Sequence, residues 1–278
     1  MACSSAWLRR MRSMSSLNIR IQYNIWHCMK LQGKVALVTG AAHRVGKVIA
    51  MTLAREGADI VVHYGRSVEA AQQTAQEIAA LGRRVLLHQA DMGSWQQATE
   101  LGERALAHFG HVDILINSAS SFVPNDYFST TEADFDQAFD VNVKGPFVLS
   151  QVIARAMMSS QTEGICGNII NIVDEGAFIP GRRYVAHGLS KAALLALTRA
   201  QALNFGPKVR VNAICPGPIL KPPDYSDEQW EALRATNPLR ALGSAEQVGE
   251  IVLFLLTGPQ FINGDCIMLD GGRMWQHQ

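Results

Sequence analysis

Two groups of residues in this sequence have the types and spacing for chemistry. The first is His187 with Lys191, four residues apart in a helical pattern. Positions i and i+4 share a helix face, so both side chains can point at one site. Imidazole gains and loses its proton near neutral pH. Lys191 beside it favours the neutral ring, whereas Asp174, if ionised, favours the imidazolium. The second group is the loop Thr39-Gly40-Ala41-Ala42-His43-Arg44-Val45-Gly46, after the apolar run Val35–Val38 and before a helical stretch. Glycine there permits a tight turn and a close approach of backbone to phosphate. The first amides of the following helix, with its dipole, suit a pyrophosphate.

A dinucleotide site of this kind places an acid about 20 residues on, at the end of the second strand, when the ribose carries a free 2′-hydroxyl. Here that strand ends in His63-Tyr64-Gly65-Arg66-Ser67, with no acid. Arg66 can fork onto a 2′-phosphate and Ser67 can donate to it. Arg44 is placed to close on the same phosphate. The expected cofactor is therefore NADPH/NADP+ rather than NADH.

These residues need rigid elements behind them. Short apolar runs alternate with helical patterns from Lys34 onward. Strands are expected at Val35–Val38, Ile60–Val62, Val85–Leu87, Val112–Ile116, Asn168–Val173, Val209–Ile214 and Cys266–Leu269. Helices are expected from the glycine loop to about Glu56, over Val68–Leu81 and Trp95–Phe109, and from Glu132 to Met158 with a break near Gly145-Pro146. Further helices follow over Val185–Asn204, Ser226–Thr236 and Ala245–Leu256. Strands apolar on both faces and separated by helices imply a parallel sheet covered on both sides. The expected architecture is α/β, a single-domain Rossmann doubly wound parallel sheet of about seven strands with helices on both faces.

With 278 residues and a formal net charge of +1, the chain has room for one large core and no global field to recruit nucleic acid or membrane. The longest apolar run, Ile251–Leu256, is too short to span a bilayer. The five cysteines (Cys3, Cys28, Cys166, Cys215 and Cys266) form no CxxC and read as reduced thiols. Residues 1–28 carry arginines and serines and no acid, since the first acid is Glu56. Two readings of that segment stand: an organelle transit peptide, or a stretch outside the true product, with translation starting at Met29. Residues 29–278 are taken as the domain, and the expected location is the cytoplasm, or an organelle if the extension is a real transit peptide.

Against this background the sequence resembles the short-chain dehydrogenase/reductase family from about Lys34 to Gly272. The resemblance rests on Thr39-Gly40…Gly46, Asn117-Ser118-Ala119, Asn142, Lys191, Pro216-Gly217 and Asp270-Gly271-Gly272. Four departures resemble its pteridine-reductase branch. Arg44 stands in place of the middle glycine, and Tyr64-Gly65-Arg66-Ser67 is similar to HYxRS. Asn117-Ser118-Ala119-Ser120-Ser121-Phe122 is similar to NNASSF, and Asp174 stands in place of the usual serine. The resemblance implies cofactor contacts from Gly40, His43, Arg44, Val45, Gly46, Tyr64, Arg66, Ser67, Asp91, Met92, Asn117, Ser118, Ala119, Lys191, Pro216 and Gly217. It implies that Phe122 stacks on a pterin opposite the nicotinamide and that Ser120, Asp174 and His187 also face substrate. Lys191 is expected to hold the ribose hydroxyls, and Asn142 to bend the long helix and hold a water. The threonine common after Pro216-Gly217 is absent. A homotetramer is implied as well.

The counts back from Lys191 and on from Asp174 both put His187 where the family carries its catalytic tyrosine. Three readings remain: His187 is the proton donor, Tyr184 reaches in from one turn earlier, or the chain binds NADPH without reducing anything. The expected activity is hydride transfer from NADPH to a pterin or a related conjugated carbonyl or heterocycle. The alternatives are reduction of another carbonyl, such as a 3-oxoacyl thioester, and a pseudoenzyme acting as sensor or scaffold. The expected partner is a small molecule, with no metal.

Overall fold

The structure is a computed structural model that describes residues 30–222 and 224–277. The expectations for residues 1–28, Cys3 and Cys28 included, lie outside the described residues. The compact unit begins at Leu31.

Seven strands form one parallel sheet: β1 Val35–Val38, β2 Asp59–Tyr64, β3 Val85–Gln89, β4 Ile114–Asn117, β5 Gly167–Ile172, β6 Val209–Pro216 and β7 Cys266–Leu269, in the order β3-β2-β1-β4-β5-β6-β7. The helices are α1 Arg44–Arg55, α2 Val68–Ala80, α3 Trp95–Phe109, α4 Glu132–Phe139, α5 Gly145–Met158, α6 Val185–Phe205, α7 Asp227–Ala232 and α8 Ala245–Thr257.

Strand periodicity explains how one chain fills two cores. Successive side chains point to opposite faces. Ala36, Val38, Ile60, Val62, Ile114 and Ile116 meet Ile49 and Leu53 of α1 and Val248 and Val252 of α8 on one side. Val35, Leu37, Val61 and Leu115 meet Leu101 of α3 and Leu149 and Ile153 of α5 on the other. Because the inner strands are buried on both faces, with only the edge strands β3 and β7 half-buried, the inner runs are largely apolar and period-2 polarity is missing from them. The order reverses at β1, whose neighbours are β2 and β4. A crevice opens at the carboxyl ends of strands where the order reverses.

The long helical region is interrupted beside Gly145-Pro146, as expected. Asp140–Lys144 is a π-helical turn between α4 and α5. Pro146 lies in the first turn of α5 and has no N–H, so the i→i−5 bonding of the preceding turn stops at Gly145 N on Asp140 O. The wide turn carries the buried Asn142. Three helices begin with reciprocal capping boxes: Thr131–Asp134, Ser226–Gln229 and Ser244–Gln247. Cys215 is buried, and Cys166 and Cys266 are half-buried, all three as free thiols.

Candidate active site

The glycine loop is shaped by close backbone approaches. Gly40 has φ +66°, and a Cβ there would lie 2.9 Å from Ala119 Cα; one on Gly46 would lie 2.2 Å from Gly40 O. Thr39 Oγ1 accepts from Ser118 N (2.9 Å) and Ala119 N (3.0 Å). It donates to Ile116 O at 3.3 Å, tying the loop after β1 to the end of β4. Gly40 N donates to His63 Nδ1 (3.1 Å), and His63 Nε2 lies 3.0 Å from Ala90 O. Burial pushes the His63 imidazole down to about 4, against the opposing hydrogen bond to Ala90. A neutral ring with its proton on Nε2 satisfies both contacts. His63 was not anticipated as a site residue, although a polar side chain inside an otherwise apolar strand is a signal for one.

Beside this loop lies a cleft of about 980 Å³. It gathers Gly40, His43, Tyr64, Arg66, Ser67, Asp91, Met92, Ala119, Ser120 and Phe122 along its walls. Its size is at the upper end for small-molecule pockets. Asp91 Oδ1 accepts from Gly93 N at 2.8 Å, and Gln97, also unanticipated, accepts from Asp91 N at 2.8 Å. The fit to a dinucleotide phosphate is therefore a glycine-shaped backbone at one end and Arg66 with Ser67 at the other.

Several expected cofactor residues also make contacts within the protein. Arg44, at φ +55°, turns both terminal nitrogens onto Lys221 O (3.3 Å each) rather than beside Arg66. That carbonyl belongs to the segment after β6 and offers the guanidinium an acceptor. Asn117 is 1% exposed and donates to Asn171 Oδ1 (2.8 Å) and Ser150 Oγ (3.3 Å), so its amide serves a buried network that continues to Thr198 and Gln201. A polar group this deep is retained by hydrogen bonding. Val45 packs on the core, Gly46 is enclosed in α1, and Ser118 acts through its N–H on Thr39. Gly217 N donates to Leu269 O at 2.9 Å, which joins Pro216-Gly217 to the end of β7.

The second cluster is built from β5, the π turn and α6. His187 is buried. Its Nε2 lies 2.8 Å from Asp174 Oδ2 and its Nδ1 2.8 Å from Ser121 O. Both ring nitrogens thus lie against oxygen atoms of the protein. Asp174 Oδ1 accepts from Gly176 N at 2.8 Å. Burial raises the Asp174 carboxyl. The hydrogen bond and charge of His187, the charge of Lys191 and the Gly176 N–H outweigh that and hold it below its ordinary value. Asn142 accepts from Ser121 N (2.7 Å) and donates to Ser121 O (3.1 Å) and Ser190 Oγ (2.8 Å), with His187 Nδ1 at 3.4 Å. Lys191 donates to Ile172 O at 2.8 Å, and burial pushes it down to about 8 against the pull of Asp174. Ser121 and Ser190 were missed from the sequence. Ser190 Oγ donates to His187 O at 2.7 Å, three residues on along the same helix, and that spacing was a usable signal.

Phe122 joins the two clusters. Its ring is edge-on to His187, with centroids 4.7 Å apart at 89°. Its other partner is Tyr184, stacked at 4.1 Å and 14°. The Tyr184 hydroxyl donates to Asp224 Oδ2 at 2.8 Å, so it does not reach Asp174 or His187. Among the described residues no group of side chains has metal-binding geometry, and no helix is long and apolar enough to cross a membrane.

Comparisons with known proteins agree with this architecture. Residues 40–273 match a family model described as enoyl-(acyl carrier protein) reductase. The hydroxynaphthalene reductase-like protein Arp2 of Metarhizium robertsii is 33% identical, with 88% of this chain and 96% of that protein covered. A short-chain dehydrogenase from Burkholderia cenocepacia in complex with NADP superposes with a TM-score of 0.81 at 34% identity, covering 88% of this chain and 99% of that one. FolM alternative dihydrofolate reductase 1 from Brucella canis, complexed with NADP, gives a TM-score of 0.82 at 30% identity, covering 89% and 96%.

Proposed function

The chain belongs to the short-chain dehydrogenase/reductase family, and from that premise we propose that it is an NADPH-dependent reductase of a pterin, such as a dihydropteridine or dihydrofolate, or of a related conjugated carbonyl or heterocycle. The observation that carries this reading is Phe122. Its ring is 42% exposed on the cleft wall and touches the ring of His187, which is bonded to Asp174. A flat aromatic surface beside a proton source suits a flat heterocycle that needs both stacking and a proton. The Brucella relative named as an alternative dihydrofolate reductase supports the same substrate class.

When bound, NADPH supplies the hydride. Arg66 and Ser67 would hold its 2′-phosphate, the first turn of α1 its pyrophosphate, and Lys191 its nicotinamide ribose. Asp174 and His187 share the proton. Asp174 is the more exposed of the two, so a proton leaving the His187 imidazole crosses their hydrogen bond to the Asp174 carboxylate and passes from that oxygen to substrate, leaving Asp174 ionised and His187 neutral. Asn142 and the Ser121 carbonyl fix the far side of the ring. Ser120 Oγ, on the cleft wall, donates to Ser121 O at 3.3 Å and keeps its lone pairs for the polar edge of the heterocycle.

A second reading is a nucleotide-binding pseudoenzyme. It is favoured by one observation, that both ring nitrogens of His187 already face protein acceptors. NADPH oxidation by the purified protein with dihydrobiopterin and with dihydrofolate, across pH 5 to 8, separates the two. Turnover with a pterin supports the reductase; tight NADPH binding without turnover supports the pseudoenzyme. A homotetramer in the cytoplasm belongs to the same proposal. Exposed Trp95 on α3 and Phe147 on α5, with ring centroids 6.1 Å apart, support subunit contact through the long helices. Light scattering on the purified chain tests it.

A further inference from the structure

Tyr184 is held in place from two sides. Its hydroxyl and Arg183 Nη2 both donate to Asp224 Oδ2, each at 2.8 Å. The Arg183 guanidinium lies over the rings of Tyr184 (5.5 Å) and Tyr225 (5.9 Å). The result is that the Tyr184 ring lies flat on Phe122. A planar substrate that stacks on Phe122 competes with Tyr184 for that ring.

The closed arrangement has two deficits at one place. Tyr184 has φ +63°, a left-handed conformation that is an outlier for a bulky residue. Next to it, Asn125 O accepts from Val185 N at 3.4 Å. The Asn125 side-chain amide is enclosed, and neither its nitrogen nor its oxygen has a hydrogen-bond partner. An enclosed polar group without a partner is costly. Releasing the Tyr184 backbone from that conformation would remove the strained φ and loosen the adjoining Val185–Asn125 contact. A carboxamide offers one acceptor and two donors side by side, which matches a ring carbonyl next to an N–H.

We propose that Tyr184 is a gate on Phe122, latched by Asp224, and that its release uncovers a subsite in which Phe122 stacks a planar ring and Asn125 bonds an amide-like edge of that ring. The subsite deepens the reductase reading and rests on it; the latch does not.

Amide hydrogen exchange over residues 184–188 in the full chain tests the latch without any substrate. Asp224→Asn raises exchange there about tenfold, since the charge that both Arg183 and Tyr184 bond is lost; an unchanged rate overturns the gate. Dihydrobiopterin binding to the protein saturated with NADP+ tests the subsite. Tyr184→Gly tightens it about tenfold by removing the competing ring and the strained residue. Weaker binding makes Tyr184 a wall of the site and overturns the gate. Asn125→Ala and Asn125→Ser each weaken binding about tenfold with NADP+ affinity kept, and two variants guard against a folding defect in one. Unchanged dihydrobiopterin affinity in both removes Asn125 from the subsite. If no variant and no wild-type protein binds dihydrobiopterin, the pterin reading and the subsite fail together, and the exchange measurement alone decides the latch.

Discussion

Asp174 Oδ2 and His187 Nε2 are 2.8 Å apart, yet the Asp174 side chain is 29% exposed and that of His187 only 5%. The carboxylate is thus the outward end of the pair and the imidazole its buried end. Asp174→Asn keeps the shape and removes the proton-accepting charge. It should lower turnover with dihydrobiopterin by about 100-fold or more while NADPH affinity stays the same. His187→Phe should abolish turnover, and retained turnover in either variant would sink the pair. Asp174 is held below its ordinary value of 3.8. It therefore remains ionised across pH 5 to 8, and any change of rate in that window belongs to another group.

Arg66 and Ser67 stand at the cleft end where β2 finishes without an acid. A guanidinium–phosphate bond contributes about 1.5–3 kcal/mol. Arg66→Ala should accordingly narrow the ratio of NADPH to NADH affinity by about 10- to 100-fold, mostly by weakening NADPH. Titration of both cofactors by fluorescence measures the ratio, and an unchanged value removes Arg66 from the phosphate.

What the sequence disclosed and what it withheld divide along a physical line. α3 and β7 have the expected bounds, Trp95–Phe109 and Cys266–Leu269, because periodicity and local caps determine them. The cofactor loop was legible because glycine and strand position are local facts. The bend at Asn142 was expected too, but not the partners that hold it, because Ser121 and Ser190 are distant in sequence. Arg44 and Asn117 fit a local motif, but their partners, Lys221 and Asn171, are distant in sequence. The Phe122–Tyr184 stack is likewise a long-range pairing with no local mark.

Gly46 gives a test of the loop by itself. A Cβ there would lie 2.2 Å from Gly40 O, so Gly46→Ala must push the start of α1 away from the glycine turn. The cost of such overpacking is about 1–3 kcal/mol of stability. NADPH affinity should fall with it, because the amides at the helix start move off the pyrophosphate. Urea unfolding and NADPH titration of the variant give both quantities, and a neutral result would show the loop to be softer than its packing implies.

His63 links stability to pH through the same loop. Its ordinary value of 6.5 is pushed down to about 4, chiefly by burial, so the unfolded chain takes up the proton first as pH falls. The sign follows. Stability is intact above 6.5 and is lost between 6.5 and 4, by about 3 kcal/mol at the lower end for a shift of this size. Protonation of the folded protein also takes away the Nδ1 lone pair that accepts from Gly40 N, so NADPH affinity should weaken only as pH falls through about 4. Substituting His63→Gln removes the titration. The variant should be less stable at pH 7, where it loses a fitted ring, but its unfolding free energy should fall less steeply from pH 6.5 to 4. Parallel urea melts at these two pH values decide it: equal slopes for the two proteins would mean that the acid sensitivity resides elsewhere, whereas a flatter line for the variant ties the cofactor loop to the protonation of one buried imidazole.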